Sequence, residues 1–139
     1  MKKTIFITGA TSGIGKATAE VFAKQGHRLI ICGRRKEVLD NLQIQLSNFT
    51  DVYSLVFDVR NQQEVQNAIN SLPEDWKNID VLVNNAGNAH GLEPISDANI
   101  SDWDAMMDGN VKGILYVSQP IIKLMKANNS GHIVNISSV

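Results

Sequence analysis

Short apolar runs rich in β-branched residues alternate along this chain with stretches whose apolar residues recur at helical spacing. The runs are Thr4 to Thr8, Arg28 to Cys32, Val52 to Phe57, Ile79 to Val83 and Ile133 to Ile136. Ile14, Ala17, Val21 and Phe22 mark a first helix, and Val38, Leu42 and Leu46 a second. Val65, Ala68, Ile69 and Leu72 mark a third. A short helix near Trp103 to Met107 and a long one from about Asn110 to Lys126 complete the pattern. Strands alternating with helices predict right-handed crossovers and a parallel sheet covered on both faces: a doubly wound α/β fold. The runs are almost continuously apolar, as strands buried on both faces require.

The punctuation agrees with these elements. Ser12 is placed to cap the first helix, and Gly26 stands where a helix-ending glycine belongs. Asn61 followed by Glu64 has the spacing of a capping box, and Pro73 closes that helix. On the long helix Val111, Ile114, Leu115, Val117, Ile121, Ile122, Leu124 and Met125 cover more than one face. That predicts burial on the sheet and against a second surface, with a bend at Pro120.

Composition excludes several functions. The 139 residues fit one domain, and 43% hydrophobic with 19% charged residues is an ordinary globular balance. A net charge of -1 offers no basic field for nucleic acid. No stretch is long enough to span a membrane, and the apolar run after Met1-Lys2-Lys3 is too short for a signal peptide. The single cysteine, Cys32, lies inside a strand and reads as core. A reducing, cytoplasmic setting is the expectation. His27, His90 and His132 lack metal-ligand spacing, so no metal is expected. Trp76 and Trp103 read as packing anchors.

Ligands of doubly wound sheets bind beyond the carboxyl ends of the strands, where strand order reverses. Here those ends carry Gly9, Gly33, Asp58, the Asn84 to Gly87 run and Ser137-Ser138. The first turn, Thr8-Gly9-Ala10-Thr11-Ser12-Gly13-Ile14-Gly15, suits close approach of backbone to a diphosphate at a helix start. A phosphate-loop NTPase is the rival reading, with Gly15-Lys16 in register. Ala10 replaces its first glycine and Ala17 its magnesium-holding hydroxyl, so that reading fails. The usual dinucleotide fingerprint is also departed from, since Thr18 stands where its third glycine would be.

Thr-Gly-x-x-x-Gly-x-Gly, Asn-Asn-Ala-Gly, an Asn-x-x-Gly on a long helix and Ile-Ser-Ser follow in that order along the whole chain. This combination resembles the short-chain dehydrogenase/reductase family, whose Rossmann fold the resemblance implies. It assigns the cofactor diphosphate to Gly9, Thr11, Ser12, Gly13, Ile14 and Gly15. Asp58 with Val59 would hold the adenine. The Asn84 to Gly87 run would brace the sheet and, through Asn85, Ala86 and Gly87, line the nucleoside site, with Asn85 the most direct contact. By the same resemblance Ser138 holds the substrate oxygen and Asn110 supports a water relay. Gly109 departs from the larger residue that relatives carry before the asparagine. The family's Tyr-x-x-x-Lys does not occur within residues 1–139. The expectation is thus a dinucleotide-binding domain that ends before that segment and does not itself catalyse hydride transfer.

Cofactor choice rests on the end of the second run. NAD-binding relatives carry an acidic residue there, whereas this chain has Gly33-Arg34-Arg35. Arg34 and Arg35 can pair a 2′-phosphate, which predicts NADP(H). The alternative is a solvated basic pair at a helix start. Gly33-Arg34-Arg35, Trp76-Lys77-Asn78-Ile79-Asp80 and Leu92-Glu93-Pro94 are similar to the NADP-dependent 3-hydroxy acid (serine-type) dehydrogenases. The resemblance implies hydride exchange with a secondary alcohol or carbonyl of a small molecule, 3-hydroxy acids among them, in a homodimer or tetramer. A non-catalytic dinucleotide sensor is the reading from another class.

Overall fold

A computed structural model describes residues 1–138. Five strands, β1 (Thr4–Ile7), β2 (Arg28–Gly33), β3 (Val52–Val56), β4 (Val81–Asn84) and β5 (His132–Asn135), form one sheet. Every pairing is parallel, and the order is β3-β2-β1-β4-β5. The chain steps outward from β1 to β3, then crosses back to lay β4 on the other side of β1. Strand order therefore reverses between β1 and β4, whose register pairs Ile5 with Val81 and Ile7 with Val83.

The helices are α1 (Gly13–Lys24), α2 (Lys36–Leu46), α3 (Gln62–Asn70), α4 (Ile100–Met107) and α5 (Gly113–Ala127). Alternation along β1 divides the core between the two faces of the sheet. Ile5 and Ile7 point to the side where Ala19, Ala23, Leu39, Leu42 and Leu46 of α1 and α2 pack. Phe6 points to the other side, against Val65 and Ile69 of α3 and Val117, Ile121 and Met125 of α5. Cys32 is buried in this second core, and desolvation pushes its thiol well above the usual range.

The helices depart from the sequence expectations in several places. The buried face of α1 is Gly15, Ala19 and Ala23, while Ile14 and Val21 are exposed. Small residues four apart let this helix lie close on the sheet, and the larger apolar ones are turned outward. Residues 100–127 form one helical run rather than two helices: α4 passes into α5 through a single π-turn, Asp108–Lys112. The Gly113 amide donates to the Asp108 carbonyl five residues back. Pro120 sits inside α5, which continues through it.

The cap at Asn61 forms, its side chain accepting the Glu64 amide at 3.1 Å. Ser12 occupies the N-cap position of α1 but makes no capping hydrogen bond. Trp76 packs against Tyr53 under the Arg28 guanidinium, 3.9 Å from the ring centre. Trp103 is instead exposed. Among the described residues no helix is long and apolar enough to cross a membrane.

Candidate functional site

The carboxyl ends of β1 and β4 define a crevice where the strand order reverses. Thr8 follows β1, and its buried hydroxyl accepts the amides of Asn85 and Ala86 at 3.0 and 2.9 Å. Asn85 Nδ2 reaches back to the carbonyls of Thr8 and Gly9, at 3.3 and 3.1 Å. The two segments thus brace each other. Gly9 turns the chain with φ of +61°, a conformation that side chains disfavour. At Gly15 a Cβ would collide with the Gly9 carbonyl oxygen and the Asn85 amide. The glycine turn can approach α1 this closely only because position 15 lacks a side chain.

This turn ends on the start of α1. The first intrahelical bond is Lys16 N–H to Ser12 carbonyl, so the amides of Gly13, Ile14 and Gly15 have no intrahelical acceptor. No acidic residue occupies the first turn of α1. Unpaired amides, a positive dipole end and the Thr11 and Ser12 hydroxyls suit a diphosphate. The donor set therefore fits the group that the motif implies. Thr11 lies over Gly33 of β2, and Arg35 Nη2 donates to the Thr11 hydroxyl at 3.4 Å. Arg34 and Arg35 are exposed between β2 and α2. Arg35 thus stands beside the turn, with Arg34 next to it in the chain.

Asp58 lies just past β3. Its carboxylate accepts Arg60 through Nε and Nη2, with Nη2–Oδ2 at 2.7 Å, and also the Arg60 amide at 3.0 Å. These bonds hold Asp58 below the usual carboxylate range despite partial burial, with Arg34 adding a smaller attraction. Asp58, Arg60 and Asp108 line an open polar hollow at this end of the sheet. Val59 turns the other way, into the core; a Cβ at Gly113 would press on its side chain.

Asn110 falls within the π-turn, a distortion frequent at functional sites. Its side chain clamps the Asn88 backbone. Oδ1 accepts the Asn88 amide and Nδ2 donates to the Asn88 carbonyl, both at 2.8 Å. Gly87 lies under the same amide oxygen. The two ends of Asn-x-x-Gly thus have separate duties: Asn110 ties the loop after β4, and Gly113 admits Val59. Gly109 has room for a Cβ, which would make ordinary contact with the Arg60 stem. Ser138 is exposed, three residues past the end of β5 on this same edge.

Sequence reasoning passed over the residues that join these parts. Ser118 and Asn135 have no role in the motif reading, and Thr8 and Asn84 enter it only as members of the first turn and of the run that braces the sheet; Asn84 is buried and bonded to both Ser118 and Asn135. The signal at Asn84 is its place directly after an apolar run, as the first residue of Asn-Asn-Ala-Gly. Among the described residues no cluster of three His, Cys, Asp or Glu side chains could hold a metal ion.

Comparison with known proteins agrees with this geometry. The model of the short chain dehydrogenase family matches residues 3–139. An NADP-dependent 3-hydroxy acid dehydrogenase from Escherichia coli O6:H1 is 43% identical over 134 residues, which are 96% of this chain and 53% of that protein. Sulfoacetaldehyde reductase 2 from Chromohalobacter salexigens is 41% identical, covering 100% of this chain and 56% of that one. The closed form of a serine dehydrogenase complexed with NADP+ superimposes with a TM-score of 0.90 at 42% identity, covering 98% of this chain and 54% of that chain. The chain spans about half the length of the curated relatives it matches. With the motifs, the sheet order and the family model in agreement, the chain belongs to the short chain dehydrogenase family.

Proposed function

We propose that the whole protein is an NADP(H)-dependent oxidoreductase that moves a hydride between the nicotinamide and a secondary alcohol or carbonyl, with small 3-hydroxy acids as the substrate class. The observation that carries the cofactor choice is the basic end of β2, where Arg34 and Arg35 flank the glycine turn and Arg35 reaches Thr11. Support for the substrate class comes from relatives named for 3-hydroxy acids and serine.

When bound, the cofactor supplies or accepts the hydride. The first-turn amides of α1 and the Thr11 and Ser12 hydroxyls hold its diphosphate, and the Arg34–Arg35 pair holds its 2′-phosphate. Asp58, oriented by Arg60, receives the adenine amine. Ser138 donates a hydrogen bond to the substrate oxygen. Asn110 keeps the loop after β4 against the π-turn, so that the floor of the nicotinamide side stays in place.

We also infer a cytoplasmic homo-oligomer. Trp103, Met107, Val111 and Leu115 recur every four residues along the α4–α5 run, and Ile122 continues beyond them; all are exposed, Leu115 by 62%. An apolar stripe of that length is the mark of a protein partner, and a second copy is the self-complementary occupant.

The experiment is NADPH and NADH titration of the full-length protein by nucleotide fluorescence, followed by turnover on a panel of 3-hydroxy acids and short aldehydes. Preference for NADPH with turnover on the 3-hydroxy acids is the expected result. Equal affinity for the two cofactors would remove the role of the arginine pair. NADPH binding with no turnover would leave the dinucleotide sensor instead.

A further inference from the structure

Three polar side chains, one each from β4, α5 and β5, meet beside the end of β5, next to the Asn85 to Gly87 segment assigned to the cofactor. Asn84 is only 3% exposed, and its Nδ2 donates to Ser118 Oγ on α5 and to Asn135 Oδ1 on β5, each at 3.0 Å. Both hydrogens of that amide are thereby used. Asn84 and Asn135 are register partners, and the Ile136 amide donates to the Asn84 carbonyl at 3.0 Å. Side chain and backbone of Asn84 therefore hold the same stretch of β5. Ser138 follows Asn135 by three residues, roughly 10 Å of extended chain.

The hold on β5 matters because β5 leads directly into Ser138. Against the sheet, α5 presents Gly113, Val117, Ile121 and Met125. Apolar contact of that kind is non-directional and does not select one amide orientation. A hydrogen bond does, because its strength falls steeply with angle. With Ser118 in place, the Asn84 amide has one orientation that satisfies both of its hydrogens. Without that acceptor a buried N–H is left unpaired, and turning the amide to find another releases Asn135.

We propose that Ser118 is a positioning residue: its hydroxyl locks the Asn84 amide, which holds Asn135 and so sets where β5 delivers Ser138. The inference rests on the reading of Ser138 as the group that holds the substrate oxygen. It places a determinant of turnover on α5, outside the cofactor site.

The test uses the full-length protein and its Ser118→Ala, Ser118→Thr and Asn135→Ala variants. NADPH dissociation constants stay within about threefold of the unmutated value, because the glycine turn is braced separately by Thr8 and Asn85. Turnover at saturating cofactor falls about tenfold in Ser118→Ala and in Asn135→Ala. Ser118→Thr keeps the hydroxyl and restores it. Amide hydrogen exchange quickens over residues 135–138 in Ser118→Ala and is unchanged over residues 13–15. Undiminished turnover in Ser118→Ala, an equal loss of NADPH affinity and turnover, or failure of the threonine to rescue would overturn the proposal. So would unchanged exchange over 135–138. If the unmutated protein turns over nothing on the panel, the functional reading falls, and the exchange measurement still decides whether Ser118 holds this strand.

Discussion

Asn110 holds Asn88 by both of its backbone groups, accepting its N–H and donating to its carbonyl at 2.8 Å each. This side-chain clamp joins the π-turn to the loop after β4 in the way a strand pairing would. Asn110→Ala removes both bonds, and Asn110→Asp keeps the acceptor but loses the donor. Each exposed bond contributes on the order of 1 kcal/mol or less. The expected outcome is a small loss of global stability with much faster proteolytic cleavage within residues 88–98. Cleavage in Asn110→Asp is expected to fall between the two. An unchanged cleavage rate in Asn110→Ala would show that the loop is held by other contacts.

The arginine pair predicts a charge-reversal effect. Arg34→Asp replaces a cation by an anion where the 2′-phosphate is expected. NADPH affinity should fall by about ten- to a hundredfold, the span of one or two charge-assisted hydrogen bonds. NADH affinity should change by less, so the ratio of the two dissociation constants is the quantity to follow.

Position 15 tests the close approach of turn and helix. Gly15→Ala forces a Cβ onto the Gly9 carbonyl and the Asn85 amide, both held in place by other bonds. A loss of about 1–3 kcal/mol is expected from such overpacking, read as a lower urea midpoint. Gly13→Ala meets no atom but keeps φ at +54°. Its cost comes from the backbone alone and should be about 1 kcal/mol.

Asp58 predicts an acid-sensitive component of stability. Its folded pKa is lowered, chiefly by the Arg60 hydrogen bonds. The unfolded chain therefore binds the proton more readily, and the pair stabilises the fold above the ordinary carboxylate pKa of about 4. That contribution declines as pH falls below about 4 and is gone once pH passes the folded pKa. Solvent reaches both partners, with side chains 24% and 41% exposed, so the effect is modest. The stability gap between the unmutated protein and Asp58→Asn should narrow as pH drops from 5 to 2, which denaturant titration at each pH would measure. A gap that stays constant over that window would sink the assignment.

The exposed stripe on α4 and α5 predicts self-association. The full-length protein should scatter light as a dimer or larger at micromolar concentration. Leu115→Asp places a charge within the stripe, and the variant should shift toward monomer while NADPH still binds. A strict monomer before mutation would count against the stripe as an assembly surface.

Much of this molecule is legible from local pattern. Apolar runs without polar alternation specify strands buried on both faces, and their separation by helical stretches specifies parallel pairing. The glycine turn, Asp58, Asn84 to Gly87 and Ser138 fall at strand ends, so the edge that carries the site follows from the same pattern. Spacing alone did not identify the buried face of α1. Which stripe faces the sheet depends on how near the helix can come, and Gly15 and Ala19 bring it nearer than Ile14 and Val21 would allow. Nor did it reveal the passage of α4 into α5 through a π-turn, a change of one residue in the helical repeat.

The sequence by itself determined the order of elements, the α/β class and the residue types gathered at one edge, because these depend on neighbours a few positions apart. Tertiary structure alone decided the pairings that join the parts of this edge. Asn110 meets Asn88 across 22 positions, Ser118 meets Asn84 across 34, and Asn135 meets Asn84 across 51. Each is a directional bond of about 3 Å between separate elements, and such a bond exists only once packing of the two cores has brought those elements into register.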